Sequence, residues 1–132
     1  MRLAEGNLGQ TFFQSYSMTH PRHLGIEVTV GDFLKNFGNS VSKYLLLDCR
    51  TPEEHATARI AGAVLISMQE LPTRLAEIEA WRDAPIVVHC HHGMRSLRVA
   101  RWLREQGFAQ AQSMAGGIDA WSETIDPTVP RY

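Results

Sequence analysis

The stretch Val87-Val88-His89-Cys90-His91-His92-Gly93-Met94-Arg95-Ser96 decides the fold. A β-branched apolar run ends in a cysteine, a glycine-containing turn follows, and a pattern of helical period starts at Arg95. This layout predicts a strand, a tight loop and a helix in direct succession. One thiol then stands at the mouth of the loop, where the following backbone N–H groups and the positive end of the helix can point at it. Such surroundings activate a thiol as a nucleophile. Covalent chemistry on sulfur, phosphorus or arsenic is the expectation.

Outward from that loop, strand and helix alternate. Ile26-Glu27-Val28 predicts a short strand, with a helix to about Phe37 and a turn at Gly38-Asn39-Ser40. Tyr44 to Asp48 is an apolar run ending in an acid, the pattern of a strand buried on both faces. Thr51-Pro52-Glu53-Glu54 opens a short helix, with a Thr cap, Pro at the first helical position and acids in the first turn. Ala63 to Ile66 predicts another buried strand. Leu71, Leu75 and Ile78 set a helical face over 70–81. Pro85 precedes the strand Ile86 to His89, Arg95 to Gln106 is helical, and Gly107 stops it. Gln112 to Met114 is a last strand, and a helix over Ile118 to Glu123 follows the Gly116-Gly117 turn. The alternation predicts an α/β domain in three layers, a mostly parallel five-stranded sheet with helices on both faces. Ligands of such folds sit beyond the carboxyl ends of the strands. The loops after Asp48, Ile66, His89 and Met114 should therefore line the site.

The chain's 132 residues make one domain with a single core, expected over residues 25–132 behind a flexible N-terminal extension, residues 1–24. A composition of 44% hydrophobic and 20% charged residues is that of a soluble globular protein. A net charge of -1 argues against non-specific nucleic-acid binding. No apolar run approaches the roughly 18 residues that cross a bilayer, so no membrane partner is expected. Met1 to Ser17 lacks the apolar segment and basic cluster of a secretory signal. Cys49 and Cys90 are accordingly read as thiols in a reducing cytoplasm.

Around Cys90, the backbone N–H groups from His91 to Ser96 are expected to form an anion-binding ring, with Gly93 supplying an unusual backbone angle. Arg95 is assigned to an anionic donor, whereas Arg98, Arg101 and Arg104 are read as surface. His91 and His92 are expected to splay outward and shape the mouth. A metal site is set aside because adjacent ligands in a tight turn should diverge. Cys49 alternates away from Asp48 and Arg50 and reads as structural. Only four residues separate Cys90 from Arg95, one fewer than in the loops of tyrosine-type phosphatases. The smaller ring should favour a single sulfur atom over a tetrahedral phosphate.

The segment Cys90 to Ser96 resembles the active-site loop of the single-domain rhodanese family of sulfurtransferases. The likeness covers about Gly25 to Trp121. Asp48-Cys49-Arg50 with Pro52-Glu53-Glu54 is similar to the family's Asp-x-Arg segment, Ile60-Ala61-Gly62-Ala63 to its Ile-Pro-Gly-Ala segment, and Gly116-Gly117 through Trp121 to its closing segment. Arg59 and Ala61 depart from the family's His and Pro. The resemblance implies a ping-pong cycle through a persulfide on the catalytic Cys90. His91, His92, Gly93, Met94, Arg95 and Ser96 would form the substrate loop, and Asp48 and Arg50 would support it by hydrogen bonds. No cofactor and no metal are expected. The expected partners are thiosulfate or a persulfide as donor and cyanide or a thiol as acceptor, either of which can be borne by a protein. The alternatives are a persulfide carrier or docking module, and a phosphatase or arsenate reductase on the same fold.

Overall fold

The computed structural model describes residues 24–38 and 43–132. The expected extension therefore lies, apart from Leu24, outside the described residues, as do Asn39 and Ser40 of the first turn.

Two apolar runs make the centre of the sheet. Strand β2 (Leu45–Asp48) pairs with β4 (Ile86–His89) in register, Leu45 opposite Ile86 and Asp48 opposite His89. Every residue of both is buried, as the continuous hydrophobic pattern requires. Strand β5 (Ala111–Met114) adds beside β4, β1 (Glu27–Val28) beside β5, and β3 (Val64–Leu65) beside β2. All four pairings are parallel, in the order β1-β5-β4-β2-β3. The expected buried strand over Ala63 to Ile66 is corrected here. It is a two-residue edge strand, and Val64 is 44% exposed.

Strand alternation sends side chains into two cores. Leu45, Leu47, Cys49, Ile86, Val88 and Cys90 meet Leu71, Val99 and Leu103 on one face. Those partners come from α3 (Leu71–Arg74) and α4 (Met94–Glu105). Leu46 and Val87 meet Phe33, Ile118 and Val129 on the other. Phe33 belongs to α1 (Val30–Phe37) and Ile118 to α5 (Gly117–Thr124). The remaining helix, α2 (Pro52–Thr57), opens with a complete capping box: the Thr51 hydroxyl accepts from Glu54 N–H, and the Glu54 carboxylate accepts from Thr51 N–H. The single helix expected over 70–81 splits. After α3 the chain tightens into a 3-10 helix over Leu75–Trp81. Its apolar residues Leu75, Ile78 and Trp81 recur every three positions, the period of that tighter winding. Among the described residues no helix is long and apolar enough to cross a membrane.

Candidate active site

Cys90 follows the last residue of β4, and the chain must turn at once into α4. It does so through Gly93, which takes φ 106° as the N-cap of α4. A side chain there would strain the backbone and press a Cβ to 3.2 Å from Gly116 N. The turn sorts the polar groups of the loop. Its carbonyls face outward: the Ile118 N–H donates to Cys90 O at 2.9 Å and the Asp119 N–H to His91 O at 3.1 Å. Two otherwise orphaned donors of the first turn of α5 are satisfied this way. Amides face inward: Gly93 N–H lies 3.1 Å and Ser96 N–H 3.3 Å from Cys90 Sγ. The thiol donates to Ser96 Oγ at 3.4 Å, and that hydroxyl shares a 2.7 Å hydrogen bond with buried Ser113 on β5. Cys90 is 1% exposed and borders the apolar core, yet of the amides expected from His91 to Ser96 two, Gly93 and Ser96, donate to its sulfur. A cradle of this kind stabilises negative charge on sulfur.

Arg95 does not stand free over the ring. Its Nη1 and Nη2 donate to the two Glu54 oxygens at 2.7 and 2.9 Å. This forked pair holds the Glu54 carboxyl far below its usual range. Behind it, buried Arg50 donates to Asp48 from Nε at 2.9 Å and Nη2 at 2.8 Å. It also donates to Ala58 O at 2.6 Å. Burial alone would raise the Asp48 carboxyl, but Arg50 and the nearby His89 and His55 bring it below its ordinary value.

Asp48 and Arg50, expected to support the loop by hydrogen bonds, stand at one remove from it: neither side chain bonds residues 90–96 among the described hydrogen bonds. Their influence reaches the loop through Tyr132. Its hydroxyl accepts from Arg50 Nη1 at 2.8 Å and donates to Glu54 Oε2 at 2.7 Å. Its ring stacks on His91, centroids 3.9 Å apart and planes at 8°. His91 and His92 stay together at the mouth of the loop, where His92 is exposed. Their rings stack at 3.9 Å and 25°. Met94 is 74% exposed at the start of α4.

His89 is buried, which pushes its imidazole down to about 4, and its Nε2 has no hydrogen-bond partner. Cys49 packs in the same apolar cluster as Cys90, and burial pushes its thiol well up. Arg104 is tied to Ala111 O at 2.8 Å and Gly25 O at 2.9 Å, a structural brace rather than open surface.

Sequence reading missed Glu54, His55 and Tyr132 as site residues. His55 Nδ1 lies 2.8 Å from Asp48 Oδ2. Glu54 was visible as an acid in the first turn of a helix and within the family-like segment after Arg50, without a role, and nothing in the chain's local pattern marks Tyr132.

A parallel sheet whose central strand delivers a thiol into inward-facing amides defines the cysteine-loop class of α/β proteins. The model of the rhodanese-like domain matches residues 29–124, and the chain belongs to that family. Curated relatives include a "Sulfurtransferase" of Allochromatium vinosum, 38% identical over 85 residues, which are 64% of this chain and 78% of that protein. A "Thiosulfate sulfurtransferase GlpE" of Pseudoalteromonas translucida is 34% identical over 66% of this chain and 81% of its own length. The maize "Adenylyltransferase and sulfurtransferase MOCS3-2" is 33% identical over 74% of this chain but only 21% of that longer protein. Among solved structures, a rhodanese-related protein of Thermoplasma volcanium superposes with TM-score 0.68 at 29% identity, covering 82% of this chain and all of that one. The human single-domain sulfurtransferase TSTD1 does so with TM-score 0.67 at 27% identity, covering 76% and 98%.

Proposed function

We propose that the protein is a sulfurtransferase working through a persulfide on Cys90. The observation that carries this reading is the pair of amides, Gly93 and Ser96, aimed at Cys90 Sγ. The sulfurtransferase relatives support the same class. In the first half-reaction the Cys90 thiolate attacks the outer sulfur of thiosulfate. A sulfur–sulfur bond forms, the old one breaks, and sulfite leaves with its electron pair. In the second, cyanide or an acceptor thiolate attacks the terminal sulfur and returns the Cys90 thiolate. The amides stabilise the anionic sulfur in both steps. A donor or acceptor thiol carried by a protein would use the same cycle.

Phosphatase chemistry is disfavoured by the short ring, in which four residues separate Cys90 from Arg95.

Intact-mass measurement after thiosulfate treatment tests the reading. The expected result is a gain of one sulfur that cyanide removes as thiocyanate and that Cys90→Ser abolishes. No gain with thiosulfate or with a thiol persulfide, or near wild-type transfer by the Cys90→Ser protein, overturns it.

A further inference from the structure

The two histidines that follow Cys90 do what a tight turn was not expected to allow. Stacked at 3.9 Å, they lie side by side instead of diverging, and α5 brings Asp119 against them. One ligand atom from each of His91, His92 and Asp119 lies within 4.8 Å of the others, with His92 Nε2 at 3.8 Å from Asp119 Oδ2. The backbone fixes this meeting. The Asp119 N–H donates to His91 O, and Gly117 packs so tightly on the loop that a Cβ would lie 2.5 Å from the carbonyl oxygens of Cys90 and His91.

One further observation points to a missing ligand. His91 Nε2 is shut off from water and has no hydrogen-bond partner, an arrangement that is costly unless something accepts the lone pair or the proton. An ion at this place would have to displace the cation that the Asp119 carboxylate holds now. Arg131 Nε and Nη2 donate to its two oxygens at 2.9 and 3.1 Å, from an exposed position where such a pair contributes little.

We propose that His91, His92 and Asp119 form a site for a borderline divalent transition ion, zinc(II) in type, on the lip of the cysteine loop. Arg131 occupies the carboxylate when the ion is absent. Two imidazoles and one carboxylate select zinc, cobalt or nickel over magnesium or calcium. Ligand distances of about 2.0–2.2 Å require the three side chains to close by roughly an ångström, with water completing the shell. Exposed His92 in the loop and half-buried Asp119 on the first turn of α5 can make that movement by side-chain rotation. The proposal does not require the sulfur chemistry, since none of the three ligand side chains bonds Cys90 Sγ among the described hydrogen bonds.

The test is calorimetric titration of zinc chloride into the full chain carrying Cys90→Ser, which removes the thiolate as a competing ligand, with cobalt(II) absorption as a second readout. One ion per chain is expected. Affinity should fall at least tenfold in His92→Ala and in Asp119→Asn, while Arg131→Ala binds more tightly because the resident cation is gone. Circular dichroism confirms that each variant is folded, and excess magnesium should leave binding unchanged. No binding, binding that survives both ligand substitutions, or displacement by magnesium overturns the proposal.

Discussion

At the scale of single residues, Glu54 joins most parts of the site. Its Oε1 accepts from the Thr51 amide that it caps and from Arg95, and its Oε2 accepts from Arg95 and Tyr132. The Arg95 guanidinium keeps this carboxyl ionised far below its usual 4.5. As pH falls below 4.5, the unfolded chain takes up a proton that the native protein refuses, so the folded state loses stability in that range. Glu54→Gln should flatten the fall. Urea denaturation of both proteins between pH 5 and 3 checks this, and equal slopes would refute it. The same substitution releases the Arg95 guanidinium beside the loop. An exposed charge facing an anion contributes about 1 kcal/mol, so KM for thiosulfate should drop about fivefold. Steady-state thiocyanate formation measures that change. These links were not readable in advance, since Glu54 lies 41 positions from Arg95 and 78 from Tyr132. Local pattern shows that an acid caps a helix. It does not show which distant cation shares that acid.

At the scale of elements, the first turn of α5 is bolted to the cysteine loop. Gly117 sits at φ 61° against the carbonyls of Cys90 and His91. Gly117→Ala would force those carbonyls away and turn the inward amides with them. The expected cost is about 2 kcal/mol or more of stability, together with loss of most persulfide formation. Thermal unfolding and intact mass after thiosulfate report the two effects separately. A stable variant that still forms the persulfide would show that the bolt is not needed. Element identity was readable wherever a local signal was strong: the capping box of α2, the apolar runs of β2 and β4, and the glycine turn before α4. It failed where two structures share one signal. Leu71, Leu75 and Ile78 suit an α-helix, but Leu75, Ile78 and Trp81 suit a 3-10 turn equally well, and tertiary packing made the choice.

At the scale of the whole molecule, the order of the strands sets where stability resides. Leu47 is fully buried at the centre of the sheet, so Leu47→Ala should cost about 2–5 kcal/mol. Val64 on the edge strand is nearly half exposed, so Val64→Ala should cost under about 1 kcal/mol. Urea midpoints of the two variants decide the matter, and similar losses would contradict the layering. The five-strand parallel architecture was legible because alternating strand and helix leave few other solutions. The position of each strand within the sheet was not, since an apolar run such as Ala63 to Ile66 reads the same at a centre and at a rim.

The rim itself has a colloidal consequence. Among the described residues both outermost strands, β1 and β3, contribute only two residues each. An intruding chain finds almost no ladder to extend there, so lateral accretion into amyloid-like stacks has no template along the described sheet edges. Concentrated solutions should stay clear of fibrils for as long as the molecule remains folded.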